Sequence, residues 1–221
     1  METRAIILFT RLPVAGMVKT RLMPLLDGLA CADLQWALLA DLAPIIRSAE
    51  ADLFVFYAPA GLEQPLQQLQ QLYGPSNYLP QQGHGLGQRM DIALTYVFRQ
   101  GYDRCLLLGS DIPFISSEDI IAAWEVLCEH DAVFGPCEDG GFWLVGLNEP
   151  FPQLFMSKTY GHDSVLAQAQ EVCSIHKLSA GLVAIKRDID SWDDLLYCGQ
   201  VAKQGNSPSL YKFMQLLGAA T

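Results

Sequence analysis

The chain has 221 residues, 51% of them apolar and 17% charged, and 24 acidic side chains outweigh 14 basic ones for a net charge of −10. The length suits a single domain over residues 1–221 with a sizeable core, and this composition excludes a disordered chain. A balance this acidic also argues against a binder of duplex nucleic acid, which needs a broad basic face.

In chain order, Ala5–Phe9 is a short, wholly apolar run, as expected of a strand covered on both faces. Ala30–Ser48 carries Leu34, Ala37, Leu38, Asp41, Leu42 and Ile45 at helical spacing, a mostly apolar stripe. Asp52–Tyr57 reads as the second strand and Gly61–Leu72 as a Gln-rich surface helix. Asn77–Leu79 is a weak strand, after which Gly83-His84-Gly85-Leu86-Gly87 opens a helix to about Gln100. Arg104–Gly109 is the clearest strand, and Ser116 with Asp119 has capping-box spacing for the helix that follows. Ala132–Gly135 and Gly141–Leu147 are strands around the turn Glu138-Asp139-Gly140.

The last third reads as mostly helical. His162–Val172 forms one helix, Ser191 with Asp194 caps another, and Ser207-Pro208 opens the last, proline being tolerated at a first helical position. Strands alternating with helices predict a three-layer α/β/α domain with a mostly parallel sheet, whose ligands bind beyond the carboxyl ends of the strands. The core is expected over about residues 5–196, with C-terminal helices reaching 221. No apolar run approaches the ~18 residues that span a bilayer, and no signal-peptide pattern precedes the first strand, so a cytoplasmic protein that binds no membrane is expected. None of the six cysteines has CxxC spacing, which speaks against thiolate zinc sites, and they read as reduced structural thiols.

Five segments carry candidate chemistry. Thr10–Leu22, directly after the first strand, sets Arg11, Lys19 and Arg21 around Gly16. Glycine lets the backbone approach a ligand, lysine is a point charge, and arginine forks onto two phosphate oxygens. Val18 stands where a Walker loop requires glycine, and GxGxxG is lacking too, so the expectation is polyphosphate binding without either motif. Gly109-Ser110-Asp111-Ile112-Pro113 closes the strongest strand. Ser116 is free to cap the next helix, which leaves Asp111 to hold a hard cation.

Gly135–Phe142 contains Asp139-Gly140-Gly141, a hairpin signal whose glycine N–H groups also suit a sugar or phosphate, with Asp139 accepting from acceptor hydroxyls. Arg187–Leu195 places Asp188 and Asp190 on one side of an extended segment; Asp190 is the preferred partner of Asp111 for the cation and Asp188 the second choice. Gln81–Met90 sets glycines before a helix, where Gln82 can read a base edge and Gly85 and Arg89 face an anion, while His84 reads as an exposed loop histidine.

The ordered motifs Phe9–Leu22, Gly109–Pro113 and Gly135–Gly146 resemble the bacterial "transferase 1" group associated with radical-SAM and selenium-related genes, a DUF2064-like family. Some of its members are called arsenosugar-biosynthesis glycosyltransferases. The group belongs to the nucleotide-diphospho-sugar transferase superfamily, which implies a Rossmann-like, GT-A-type mixed sheet. A related pattern occurs in 2-phospholactate guanylyltransferases. The resemblance spans roughly residues 5–196 and implies that Arg11, Lys19 and Arg21 hold phosphates while Asp111 and Asp190 bind Mg²⁺ or Mn²⁺. Arg11 departs from the more frequent lysine, Asp27 from a usual glycine, and Asp111-Ile112-Pro113 from the Asp-x-Asp of GT-A glycosyltransferases.

The leading expectation is a Mg²⁺- or Mn²⁺-dependent transferase that uses a nucleotide-diphospho-sugar and a small-molecule acceptor. In it Lys19, Arg21 and Asp139 act catalytically, and Arg11, Gly16, Gln82, Gly85, Arg89, Gly140 and Gly141 bind the nucleotide or acceptor. The alternatives are a nucleotidyltransferase that uses a nucleoside triphosphate, and a nucleotide-binding module without turnover. Self-association into a homodimer stays open.

Overall fold

The computed structural model describes residues 2–156, 164–203 and 205–220. Its elements in order are β1 (Arg4–Arg11), α1 (Gly28–Ser48), β2 (Asp52–Ala58), α2 (Glu63–Tyr73), β3 (Asn77–Pro80), α3 (Gly85–Arg99) and β4 (Arg104–Gly109). They continue with α4 (Ser117–Glu129), β5 (Ala132–Pro136), β6 (Phe142–Leu147), α5 (Val165–Ile175), β7 (Ala180–Leu182), α6 (Trp192–Val201) and α7 (Pro208–Ala220). The sheet has the order β3-β2-β1-β4-β6-β5-β7. β1 runs parallel to β2 and β4, and β6 is antiparallel to both β4 and β5. This is the mostly parallel, three-layer α/β/α architecture expected of the alternating pattern.

The apolar strands are buried on both faces, and their side chains alternate between two cores. Ile6 and Leu8 of β1 pack with α1, α2 and α4, whereas Ala5, Ile7 and Phe9 pack with α3 and α5. A third cluster sits behind α1, where Cys31, Leu34 and Leu38 meet Leu195 and Cys198 of α6 and Leu210 of α7. It also takes in Leu22 and Leu26 of the basic loop and Ile189.

One sequence expectation needs correction, and two gain detail. Gly28–Ser48 is long and apolar enough to cross a bilayer, with a window of mean hydropathy 1.5. Its apolar residues are spent instead on the sheet side and on α6 and α7, which makes it a core helix. The last third is mostly helical, as expected, but it also contains β7, an unexpected short edge strand parallel to β5, and Cys137 bridges to Lys186 beyond it. The helix expected over His162–Val172 is described from Val165 to Ile175; His162 lies outside the described residues.

Candidate active site

β1 and β4 are adjacent and parallel, so their carboxyl ends open at the same edge, where the sheet's neighbouring connections diverge. A cleft of about 760 Å³ lies there. Among its lining residues are Arg11 at the end of β1, Lys19 and Arg21 in the loop after it, Asp111 after β4, Asp139 from the β5–β6 turn, and Asp188 and Asp190 before α6. Four of the five candidate segments therefore meet in one place, and Gly85 and Arg89 at the start of α3 bring in the fifth.

The basic loop is anchored rather than free. Lys19 adopts a left-handed backbone conformation with φ of 49°, uncommon for a residue with a side chain. Its side chain is only 4% exposed; Nζ donates to the Ile189 carbonyl at 2.8 Å and lies 3.1 Å from Asp111 Oδ1. Arg21 Nη1 donates to Asp190 Oδ2 at 2.7 Å in a far more exposed pair. The side chain of Arg11, at the end of β1, makes no hydrogen bond or ion pair among the described residues.

Beneath this layer Thr10 Oγ1 and Ser110 Oγ lie 2.8 Å apart, and Gln35 Nε2 donates to Ser110 Oγ at 2.9 Å. All three are buried, so the roots of β1, β4 and α1 are tied by a satisfied polar network directly before Arg11 and Asp111. Gln35 was not legible as a site residue; its one signal is an amide on the apolar side of a core helix. Asp111 caps no helix, because Ser116 and Asp119 form the capping box of α4.

The segment bearing Asp188 and Asp190 is held by backbone and side-chain bonds. Lys186 N donates to Pro136 O at 2.9 Å, Glu138 N donates to Lys186 O at 3.0 Å, and Ile189 N donates to Asp111 O at 3.3 Å. Lys186 Nζ reaches Asp119 Oδ2 at 2.6 Å and the Phe114 carbonyl at 3.0 Å. Arg187 Nε donates to Glu138 Oε2 at 2.6 Å. Ligating atoms of Cys137, Asp139 and Asp188 lie within 4.8 Å of one another. Burial, then the charges of Asp190 and Asp139, push the Asp188 carboxyl up to about 6. The two carboxylates of this cluster are oxygen donors that fit a hard divalent cation, which would offset that repulsion, whereas Asp111 and Asp190 line the same cleft outside the cluster. Cys137 is a buried thiol whose proton is held more tightly because of burial and the surrounding carboxylates.

Other expected residues fall differently. Gln82 is exposed and outside the cleft lining; Gln81 lines it, but its amide donates to the Thr10 and Phe56 carbonyls, both at 3.0 Å, and is spent on holding β1 to β2. Gly16 is likewise outside the lining, its backbone lying against Gly28 at the start of α1. The glycine N–H groups expected to meet a ligand are used within the turn: Gly140 N donates to Cys137 O at 3.1 Å and Gly141 N to Asp139 Oδ1 at 2.9 Å. The tight turn consumes them, leaving Gly141 and Asp139 on the cleft wall. His84 is exposed at the N-cap of α3 without a side-chain capping bond.

A family model described as an uncharacterized protein conserved in bacteria (DUF2064) matches residues 42–162, more than half of the chain. The structure is similar to that of a provisionally assigned nucleotide-diphospho-sugar transferase from Desulfovibrio desulfuricans, with TM-score 0.88 and 30% identity over 99% of this chain and 96% of that one. It is similar to a cytidylyltransferase from Leptospira borgpetersenii, with TM-score 0.61 and 12% identity over 100% and 95% of the two chains. It is also similar to Rv0371c of Mycobacterium tuberculosis, solved in complex with manganese, with TM-score 0.56 and 13% identity over 91% and 100%. The last two likenesses speak for the fold alone. No curated protein matches the sequence. With its model match over more than half of the chain and its full-length likeness to the Desulfovibrio protein, the chain belongs to the DUF2064 family of bacterial proteins.

Proposed function

We propose that the chain is a transferase that takes a nucleotide-activated donor, a nucleotide-diphospho-sugar, in a reaction dependent on Mg²⁺ or Mn²⁺. The observation that carries this reading is the meeting of Lys19 and Arg21 with Asp111 and Asp190 in one cleft at the carboxyl ends of β1 and β4. Arg11 and Arg21 would fork onto phosphate oxygens while Lys19 supplies a point charge to the leaving group. Asp111 and Asp190, with Asp188 beside them, would hold the cation, whose chemistry there would be to offset the charge of the diphosphate. Asp139 Oδ1 accepts from Gly141 N, which orients the carboxylate so that Oδ2 would accept the acceptor hydroxyl's proton. The rate gain on this reading comes from positioning and fixed charge rather than from a covalent intermediate on the protein.

A second reading, transfer of a nucleotidyl group from a nucleoside triphosphate to a small phosphorylated acceptor, is favoured by one feature of the chain. Ile112-Pro113 follows Asp111 where glycosyltransferases of this fold carry a second aspartate, and the fold is shared with a cytidylyltransferase. Product analysis separates the two. The chain is incubated with Mn²⁺, an acceptor panel, and either nucleotide sugars or nucleoside triphosphates. Release of nucleoside diphosphate from a nucleotide sugar is the expected result. Pyrophosphate from a triphosphate establishes the second reading instead, and tight nucleotide binding without turnover on any acceptor leaves a binding module.

A further inference from the structure

Two of the three cations that Thr10–Leu22 presents to the cleft are already paired with a carboxylate from the opposite wall, and Arg11 is not. Lys19 is matched to Asp111 and Arg21 to Asp190. The four side chains are the same ones that a phosphate and a divalent cation would use, and they come from three separate segments: the loop after β1, the end of β4 and the strip before α6. Asp139 and Asp188, by contrast, form no ion pair with a cation among the described residues, although both line the same cleft.

We propose that Lys19–Asp111 and Arg21–Asp190 form a charge latch that couples the two ligands, so that the divalent cation and the nucleotide phosphate each bind more tightly when the other is present. This rests on the assignment of the cleft to a metal and a phosphate. A cation that takes Asp111 and Asp190 strips Lys19 and Arg21 of their counter-charges, and Lys19 is too buried for water to replace Asp111 fully. An anion that takes Lys19 and Arg21 leaves Asp111, Asp139, Asp188 and Asp190 facing one another without compensation. When both bind, each set of charges regains a partner. Coupling of this kind is reciprocal by necessity. The Lys19 ammonium keeps the Ile189 carbonyl as an acceptor throughout, so opening the latch needs movement of Asp111 and of the exposed Arg21 rather than unfolding of the loop.

The test uses the full-length chain and each ion separately, because metal and phosphate also bind each other in solution. Mn²⁺ alone is titrated into wild type, Arg21→Gln and Arg11→Gln, and pyrophosphate alone, in EDTA, into wild type and Asp190→Asn, by calorimetry. Breaking the exposed pair is expected to raise R21Q affinity for Mn²⁺ and D190N affinity for pyrophosphate by about two- to five-fold each. R11Q removes the same charge from the cleft without opening an ion pair and is expected to gain less than R21Q. No gain in R21Q toward Mn²⁺ or in D190N toward pyrophosphate, or an equal gain in R11Q, overturns the latch while wild-type binding of both ions leaves the site assignment standing. If neither wild type nor the variants bind either ion, the latch and the site assignment fall together. Arg21 and Asp190 are 70% and 43% exposed, and melting curves confirm that the variants fold.

Discussion

At the scale of single residues, what distinguishes Asp188 from Asp190 is the company each keeps. Alternation along an extended segment is expected to put both on one side, and both do line the cleft. The sequence carries no sign that Arg21 pairs with Asp190 from 169 positions away, or that Asp188 clusters with Cys137 and Asp139 under the charge of Asp190. Long-range charge placement of this kind is a product of the fold and not of local pattern. Its consequence is measurable. The folded Asp188 carboxyl is raised from 3.8 to about 6, so the folded chain holds a proton between those values that the unfolded chain has lost. Stability therefore falls as pH rises through that window, by the linkage between proton uptake and unfolding. Asp188→Asn removes the penalty: at pH 8 it is expected to stabilise the chain by about 2 kcal/mol, a melting shift of roughly 4–8 °C, shrinking toward zero at pH 4. Thermal melts across pH check this, and an equal shift at both ends of the range contradicts it.

At the scale of elements, legibility tracks how local the cause is. β4 was readable to the residue because Cys105-Leu106-Leu107-Leu108 sits between charged and glycine boundaries, and the capping boxes at Ser116/Asp119 and Ser191/Asp194 rest on contacts three residues apart. β7 was not readable: Ala180-Gly181-Leu182 has no β-branched or aromatic residue, and β5 supplies its hydrogen-bonding partner. The start of α7 has both a local and a remote cause. Pro208 marks it in the sequence, but Asp41 on α1 accepts from Ser207 Oγ at 2.5 Å, Ser209 N at 2.8 Å and Leu210 N at 3.0 Å, which supplies from another helix the acceptor that a helix start needs. Asp41→Ala leaves those donors without their carboxylate, at a cost of about 1–3 kcal/mol. Hydrogen exchange should then quicken over residues 205–220 before the sheet is affected. Uniform exchange across the chain would show that α7 is not held by this contact.

At the scale of the whole molecule, the three apolar clusters divide their labour. Two clad the sheet, and the third, built by α1, α6 and α7, lies behind Leu22, Leu26 and Ile189, so it backs the basic loop and the carboxylate segment at once. α1 belongs to both the first and the third, which explains why so apolar a helix is needed in the middle of a compact fold. The arrangement sets up a paired comparison. Leu195 in the third cluster and Leu127 in the first are both fully buried, so truncating either to alanine should cost a similar 2–5 kcal/mol, roughly. Leu127 lies near the end of α4, just before Ala132 starts β5, and so at the edge of the sheet away from the cleft. Its loss should lower the melting temperature while leaving Mn²⁺ and pyrophosphate affinity near wild type in the folded fraction. Leu195 packs in the cluster that holds Leu22 and Ile189, on either side of the Lys19 ammonium's attachment to the Ile189 carbonyl. Its loss should therefore weaken binding of both ions together at the same degree of destabilisation. Equal binding in the two variants at matched stability would mean that the cleft is held by its own hydrogen bonds and ion pairs, with the third cluster contributing only to stability.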